Sequence, residues 1–97
     1  MSRQDRFARL SAVLRDAAQT HHAAYRSVDG NDPDWASWYA DWLITSSALP
    51  QILGRPPVRS ELIYQLVRLD KVYGEERRDE AWEPFYARAL LAALGEP

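Results

Sequence analysis

Two stretches of this chain say nearly the same thing 47 positions apart. Asp32-Pro-Asp-Trp-Ala-Ser-Trp-Tyr-Ala-Asp-Trp-Leu-Ile44 and Asp79-Glu-Ala-Trp-Glu-Pro-Phe-Tyr-Ala-Arg-Ala-Leu-Leu91 share the pattern Asp-x-x-Trp-x-x-aromatic-Tyr-Ala-x-x-Leu-aliphatic. The first copy holds three of the four tryptophans within Trp35–Trp42. Apolar residues at intervals of three and four define one face of a helix. The segments before each copy also align when Tyr25 is set on Tyr73, which places Leu14 on Leu62, Ala18 on Leu66, His21 on Leu69 and His22 on Asp70. The chain therefore reads as a single helical domain, residues 1–97, made of a first hairpin (2–44), a connector (45–58) and a second hairpin (59–94). Two hairpins with one apolar side each must bury those sides together. The expected fold is all-α: a four-helix, up-and-down type bundle with a pseudo-twofold axis between its halves.

Local signals set the expected boundaries. Ser2 and Asp5 make a capping arrangement for helix one. Its stripe is Phe7, Leu10, Leu14, Ala17, Ala18, His21, Ala24 and Tyr25, with Arg3, Arg6, Arg9, Arg15 and Asp16 in water and an end near Arg26. Helix two starts with Asp32 as cap, Pro33 in its first position and Asp34 against the positive end of the dipole. Its buried face is Trp35, Trp38, Tyr39, Trp42 and Leu43. Thr45-Ser-Ser47 weakens it and Pro50 stops it. Gln51–Gly54 is a short helical turn, followed by the stiff bridge Arg55-Pro-Pro57. Helix three spans about 59–73, with the stripe Leu62, Leu66, Leu69 and Tyr73 widened by Ile63, Val67 and Val72, and with Gly74 as C-cap. Helix four begins either at Asp79 or, because of Pro84, at Glu83; the repeat favours Asp79. Its face is Trp82, Phe85, Tyr86, Ala89, Leu90 and Leu94, and Gly95 ends it.

Composition narrows the function classes. A chain of 97 residues with 46% hydrophobic and 27% charged residues has enough apolar content for one ordinary core. Residues 1–48 carry five basic and six acidic groups and residues 49–97 seven and eight, so neither half has the positive excess that nucleic acid requires. Without cysteine there is neither a disulfide nor a thiolate metal site. No apolar run is long enough for a membrane span, and the first residues lack a signal-peptide core, so a cytoplasmic protein is expected. No phosphate loop, nucleophile elbow or His-Glu-x-x-His motif occurs, and no catalytic residue or cofactor is assigned.

The candidate residues each have a structural alternative. The aromatic cluster of helix two reads first as core, since each large ring removes about 150–250 Å² from water. Four such rings in eight residues exceed what one face usually buries, so a protein-binding surface or a ligand-stacking wall are the alternatives. His21 and His22 project about 100° apart and do not naturally chelate one ion. Pairing of either with Asp70 across the bundle is the structural expectation. Asp29–Asp34 resembles a calcium loop only superficially, because Pro33 breaks the ligand alternation and Ala40 stands where the closing glutamate belongs. The leading expectation is a non-enzymatic interaction domain that binds a protein, itself included as a homodimer, through Trp38, Trp42, Tyr64 and Trp82. The competing expectation is a small-molecule or metal-dependent site lined by His21, His22, Tyr25, Trp35 and Asp70.

Overall fold

A computed structural model of the protein describes residues 2–24, 34–76 and 79–96. The described residues form five helices and no strand: α1 (Arg3–Ala24), α2 (Trp35–Ser46), α3 (Leu49–Leu53), α4 (Arg59–Glu76) and α5 (Trp82–Leu94). The reading of residues 25–33 as the end of helix one, a turn and the cap of helix two lies outside the described residues, as do Arg77 and Arg78.

Several ends form for the expected reasons. Ser2 Oγ accepts the Asp5 amide at 3.0 Å, an N-cap bond that opens α1. Ser47 is extended (φ −125°, ψ 173°) and separates α2 from α3. Its hydroxyl oxygen then accepts the Leu49 amide at 3.1 Å. Pro50 thus falls in the first turn of α3, where its missing N–H is not needed. Gly54 leaves α3 with φ +89°, in the left-handed region that a side chain disfavours.

Other ends differ from expectation. α2 starts at Trp35, with Asp34 in the N-cap position expected for Asp32. Gly74 does not cap its helix: α4 continues to Glu76, and a Cβ placed on Gly74 would meet nothing within 4 Å. α5 begins at Trp82, not at Asp79 or Glu83. This start puts Pro84 within the first turn, and the carbonyl four residues back, on Glu80, lies before the helix. That carbonyl accepts the Tyr73 hydroxyl instead.

α1 packs most extensively along α5, and α2 along α4; α1 with α2 and α4 with α5 make the lesser contacts. α3 fits against α1 and α2. The first turn of α1 lies beside the residues after α5, and Arg15 lies 3.7 Å from Glu83 in the first turn of α5, so these two helices run in opposite directions. Buried alanines, Ala17 of α1, Ala36 and Ala40 of α2 and Ala87 of α5, let the backbones approach. Leucine supplies most of the rest: Leu10, Leu14, Leu43, Leu62, Leu66, Leu69 and Leu90 are enclosed, together with Leu49, Ile52 and Leu53 of α3.

The buried line of α2 is therefore Ala36, Ala40 and Leu43, and not the indoles. Trp35, Tyr39 and Trp42 flank that line, half-buried, and Trp38 stands further round. The reason is size: a ring on the line of closest approach would hold the helices apart. Val67, placed in the α4 stripe by sequence, is exposed, as is Ala24 of α1. Arg6, expected in water, is half-buried and bonded to three carbonyls.

Candidate functional site

The rings gather where α1 ends and α2 begins. His21, in the last turn of α1, is buried at 9% exposure. Its imidazole stacks on Tyr39 (centroids 5.1 Å, 24° between planes) and meets Trp38 edge-on (5.0 Å, 72°). Trp35 meets Tyr39 edge-on at 5.9 Å. Trp38 and Trp42, one turn apart, lie with planes 8° from parallel and centroids 6.4 Å apart. The i, i+3 and i, i+4 spacing of this run is what brings the rings together.

A second ring group joins α4 to α5. Tyr73 contacts Phe85 at 5.5 Å and Tyr86 at 6.4 Å, and Trp82 meets Tyr86 edge-on at 5.4 Å. Tyr86 is 7% exposed. Burial pushes its phenol well above the ordinary tyrosine range, and the Asp70 carboxylate, Tyr39 and Tyr73 push in the same direction. Burial also raises Tyr39.

This arrangement favours stacking and hydrogen bonding over proton transfer. General acid–base work is most efficient when the group's pKa lies near the working pH. Tyr39 and Tyr86 are displaced the other way and stay neutral hydrogen-bonding phenols at neutral pH. Among the described residues, no three His, Asp or Glu side chains converge in a way that could hold a metal ion.

The residues singled out for ligand binding are only partly gathered. His21 and Trp35 both touch Tyr39. Asp70 is exposed at its own position yet close enough to bear on Tyr86. His22 is exposed, and Tyr25 lies outside the described residues. The interface candidates also divide: Trp38 and Trp42 form one stacked unit on α2, Trp82 belongs to the α5 ring group, and Tyr64 stands exposed on α4. A shallow cleft of about 240 Å³ where the proline bridge meets α4 and α5 is lined by Arg55, Pro56, Pro57, Val58, Glu61 and Leu94, none of them a sequence candidate.

Sequence reasoning assigned Tyr39 and Tyr86 to core faces and did not single out either as the centre of a ring group. The signal available was the repeat itself, which carries Trp-x-x-x-Tyr in both copies. It also missed Arg6, whose side chain reaches residues 46 and 47 positions away, with no local mark. No helix among the described residues is long and apolar enough to cross a membrane. Compared with protein-family models, with curated proteins and with solved structures, the chain gives no match.

Proposed function

We propose that this chain is a helical protein-binding domain that associates with itself. One observation carries the proposal: large apolar side chains are left over once the core is filled. The core closes with leucine, isoleucine, alanine and Tyr86, and the stacked pair Trp38–Trp42 remains at its margin, neither ring enclosed as the leucines are. Partly covered aromatic side chains of this kind are the usual anchors of protein interfaces. Tyr64, 63% exposed on α4, adds to the same surplus.

The same proposal takes the fold as two like hairpins arranged up and down about a pseudo-twofold axis. Exchange of α1 with α4 and of α2 with α5 carries the α1–α5 contact onto the α4–α2 contact, and these are the two most extensive. Ala40 and Ala87 are both fully enclosed, as are Leu43 and Leu90. Trp35 meets Tyr39 at 78° between planes, and Trp82 meets Tyr86 at 89°. An internal duplication would produce these correspondences.

Light scattering across a micromolar concentration series tests the association. A mass that rises toward twice that of the chain is the expected result. A mass fixed at one chain throughout the series would overturn self-association.

A further inference from the structure

Three large apolar side chains are more than half exposed among the described residues, and all three belong to α4 or to the residue leading into it. They are Val58 at 58%, Tyr64 at 63% and Val67 at 51%. Tyr64 and Val67 are three residues apart on the side of α4 turned away from Leu62, Leu66 and Leu69. Between Glu61 and Lys71 the charges on that outer side are ordered along the helix; Glu75, exposed one turn beyond Lys71, lies outside that span. Glu61 stands in the first turn, before the apolar pair; Arg68 and Lys71 follow it, and all three are exposed. Arg68 Nε and Nη2 donate to Gln65 Oε1 at 3.0 and 2.8 Å, which holds the guanidinium beside the apolar pair.

A strip that is acidic, then apolar, then basic along its length is its own complement when a second copy lies antiparallel to it. Counted from Leu66, Glu61 and Lys71 stand five residues to either side, about 7.5 Å along the helix axis. Tyr64 and Arg68 stand two residues to either side. A twofold axis at that level therefore matches unlike partners at both distances, which is what an isologous interface requires.

We infer that the chain forms a homodimer through the outer face of α4, with two copies of the helix antiparallel about a twofold axis level with Leu66. Val67 packs on its counterpart beside the axis. Arg68 of one copy lies over the Tyr64 ring of the other, a cation–π contact. Lys71 of one copy faces Glu61 of the other. The inference rests on the proposed self-association and places it on the outer face of α4, through Tyr64, rather than on the Trp38–Trp42 pair of α2.

The test is sedimentation equilibrium of the full chain and of Lys71→Glu, Glu61→Lys, the double variant and Tyr64→Ser. All the substituted positions are exposed, so helical circular dichroism is expected to stay unchanged. Each single charge reversal is expected to weaken dimerisation on the order of tenfold, because the twofold repeats every altered contact. The double variant, with the pair reversed, is expected to recover most of that loss, and Tyr64→Ser to weaken the dimer in every charge background. If the protein dimerises but none of these variants moves the dissociation constant, the α4 interface is wrong and self-association through another face stands. If the single variants weaken the dimer and the double variant does not recover, the antiparallel pairing is overturned. If the native chain is a monomer throughout, both proposals fall.

Discussion

At the start of α1 the molecule is closed by branched aliphatic side chains, and at the far end of the same helix it is closed by rings. The first end gathers the opening turn of α1, the short α3 and the last residues of α5. Leu49, Ile52 and Leu53 are wholly enclosed there. Arg6 donates to the carbonyls of Ile52 (2.7 Å), Leu53 (2.9 Å) and Glu96 (3.1 Å), and the Glu96 amide donates to Leu53 O at 2.8 Å. Arg55 Nε donates to Leu94 O at 3.1 Å. Two arginines thus satisfy carbonyls at the C-termini of α3 and α5, groups that a helix cannot satisfy internally. At the other end His21, Trp35 and Trp38 gather on Tyr39, and Tyr73, Trp82 and Phe85 gather on Tyr86, with most of these rings partly exposed. The difference is geometric. A small domain can surround a leucine completely, whereas several adjacent rings exceed its enclosed volume and must share their edges with solvent. One end therefore encloses its apolar side chains, and the other keeps partly exposed rings at the boundary with water.

The comparison is broken most directly at the aliphatic end. Ile52→Ala is expected to cost about 3 kcal/mol, read as a fall of roughly 15 °C in the thermal midpoint, because α3 cannot collapse around the cavity. A loss no larger than that of Trp38→Ala would remove the distinction between the ends. Arg6→Ala comes next, at about 1–2 kcal/mol. The carbonyls it leaves are only partly buried, so water replaces some of the bonds. Urea denaturation measures it, and an unchanged midpoint would mean that the arginine merely lies along the surface.

The aromatic end is sharpened by alkaline titration. Tyr39 and Tyr86 are raised in the folded protein, so above the ordinary tyrosine pKa the unfolded chain loses protons that the folded chain keeps. The stability they contribute is whole below about pH 10 and declines above it as pH rises toward their folded pKa values. The thermal midpoint is expected to fall by a few degrees over about one pH unit above pH 10, and Tyr86→Phe to reduce that fall. A phenolate absorbance titration in which every tyrosine ionises together while the helices persist would contradict it. The smallest effect lies beside the aromatic end, on α4 next to Tyr73: Gly74→Ala is expected to stabilise by about 0.5–1 kcal/mol, since the added methyl meets nothing and the helix interior favours alanine. A destabilised variant in thermal unfolding would show that the glycine conformation matters.

Much of the scaffold was legible because its signals are local. The Ser2 cap, the break before Pro50, the helical turn closed by Gly54 and the onset of α4 at Arg59 each depend on a few neighbouring residues. Gly74 misled for the same reason: a glycine near a helix end is a good C-cap, but α4 runs two residues beyond it. The start of α5 depended on a balance between Asp79 as cap and Pro84 as obstacle. In the structure the helix starts between them, at Trp82, and the Glu80 carbonyl before it accepts the Tyr73 hydroxyl from α4. For the candidate site, the spacing of Trp35, Trp38, Tyr39 and Trp42 announced one ring cluster. It did not announce that His21 would enter that cluster while His22 faced out.

By itself the sequence determined an all-helical chain, several of its helix ends, and which residues are apolar enough to be covered. These follow from hydrogen bonding and periodicity within one or two turns. Only tertiary structure decided that alanine and leucine, not tryptophan, take the line of closest approach on α2. It also decided that Arg6 is drawn in to three carbonyls and that Val67 is left in water. Those outcomes depend on how near two backbones come and which groups end up facing each other, and no local spacing of residues carries that distance.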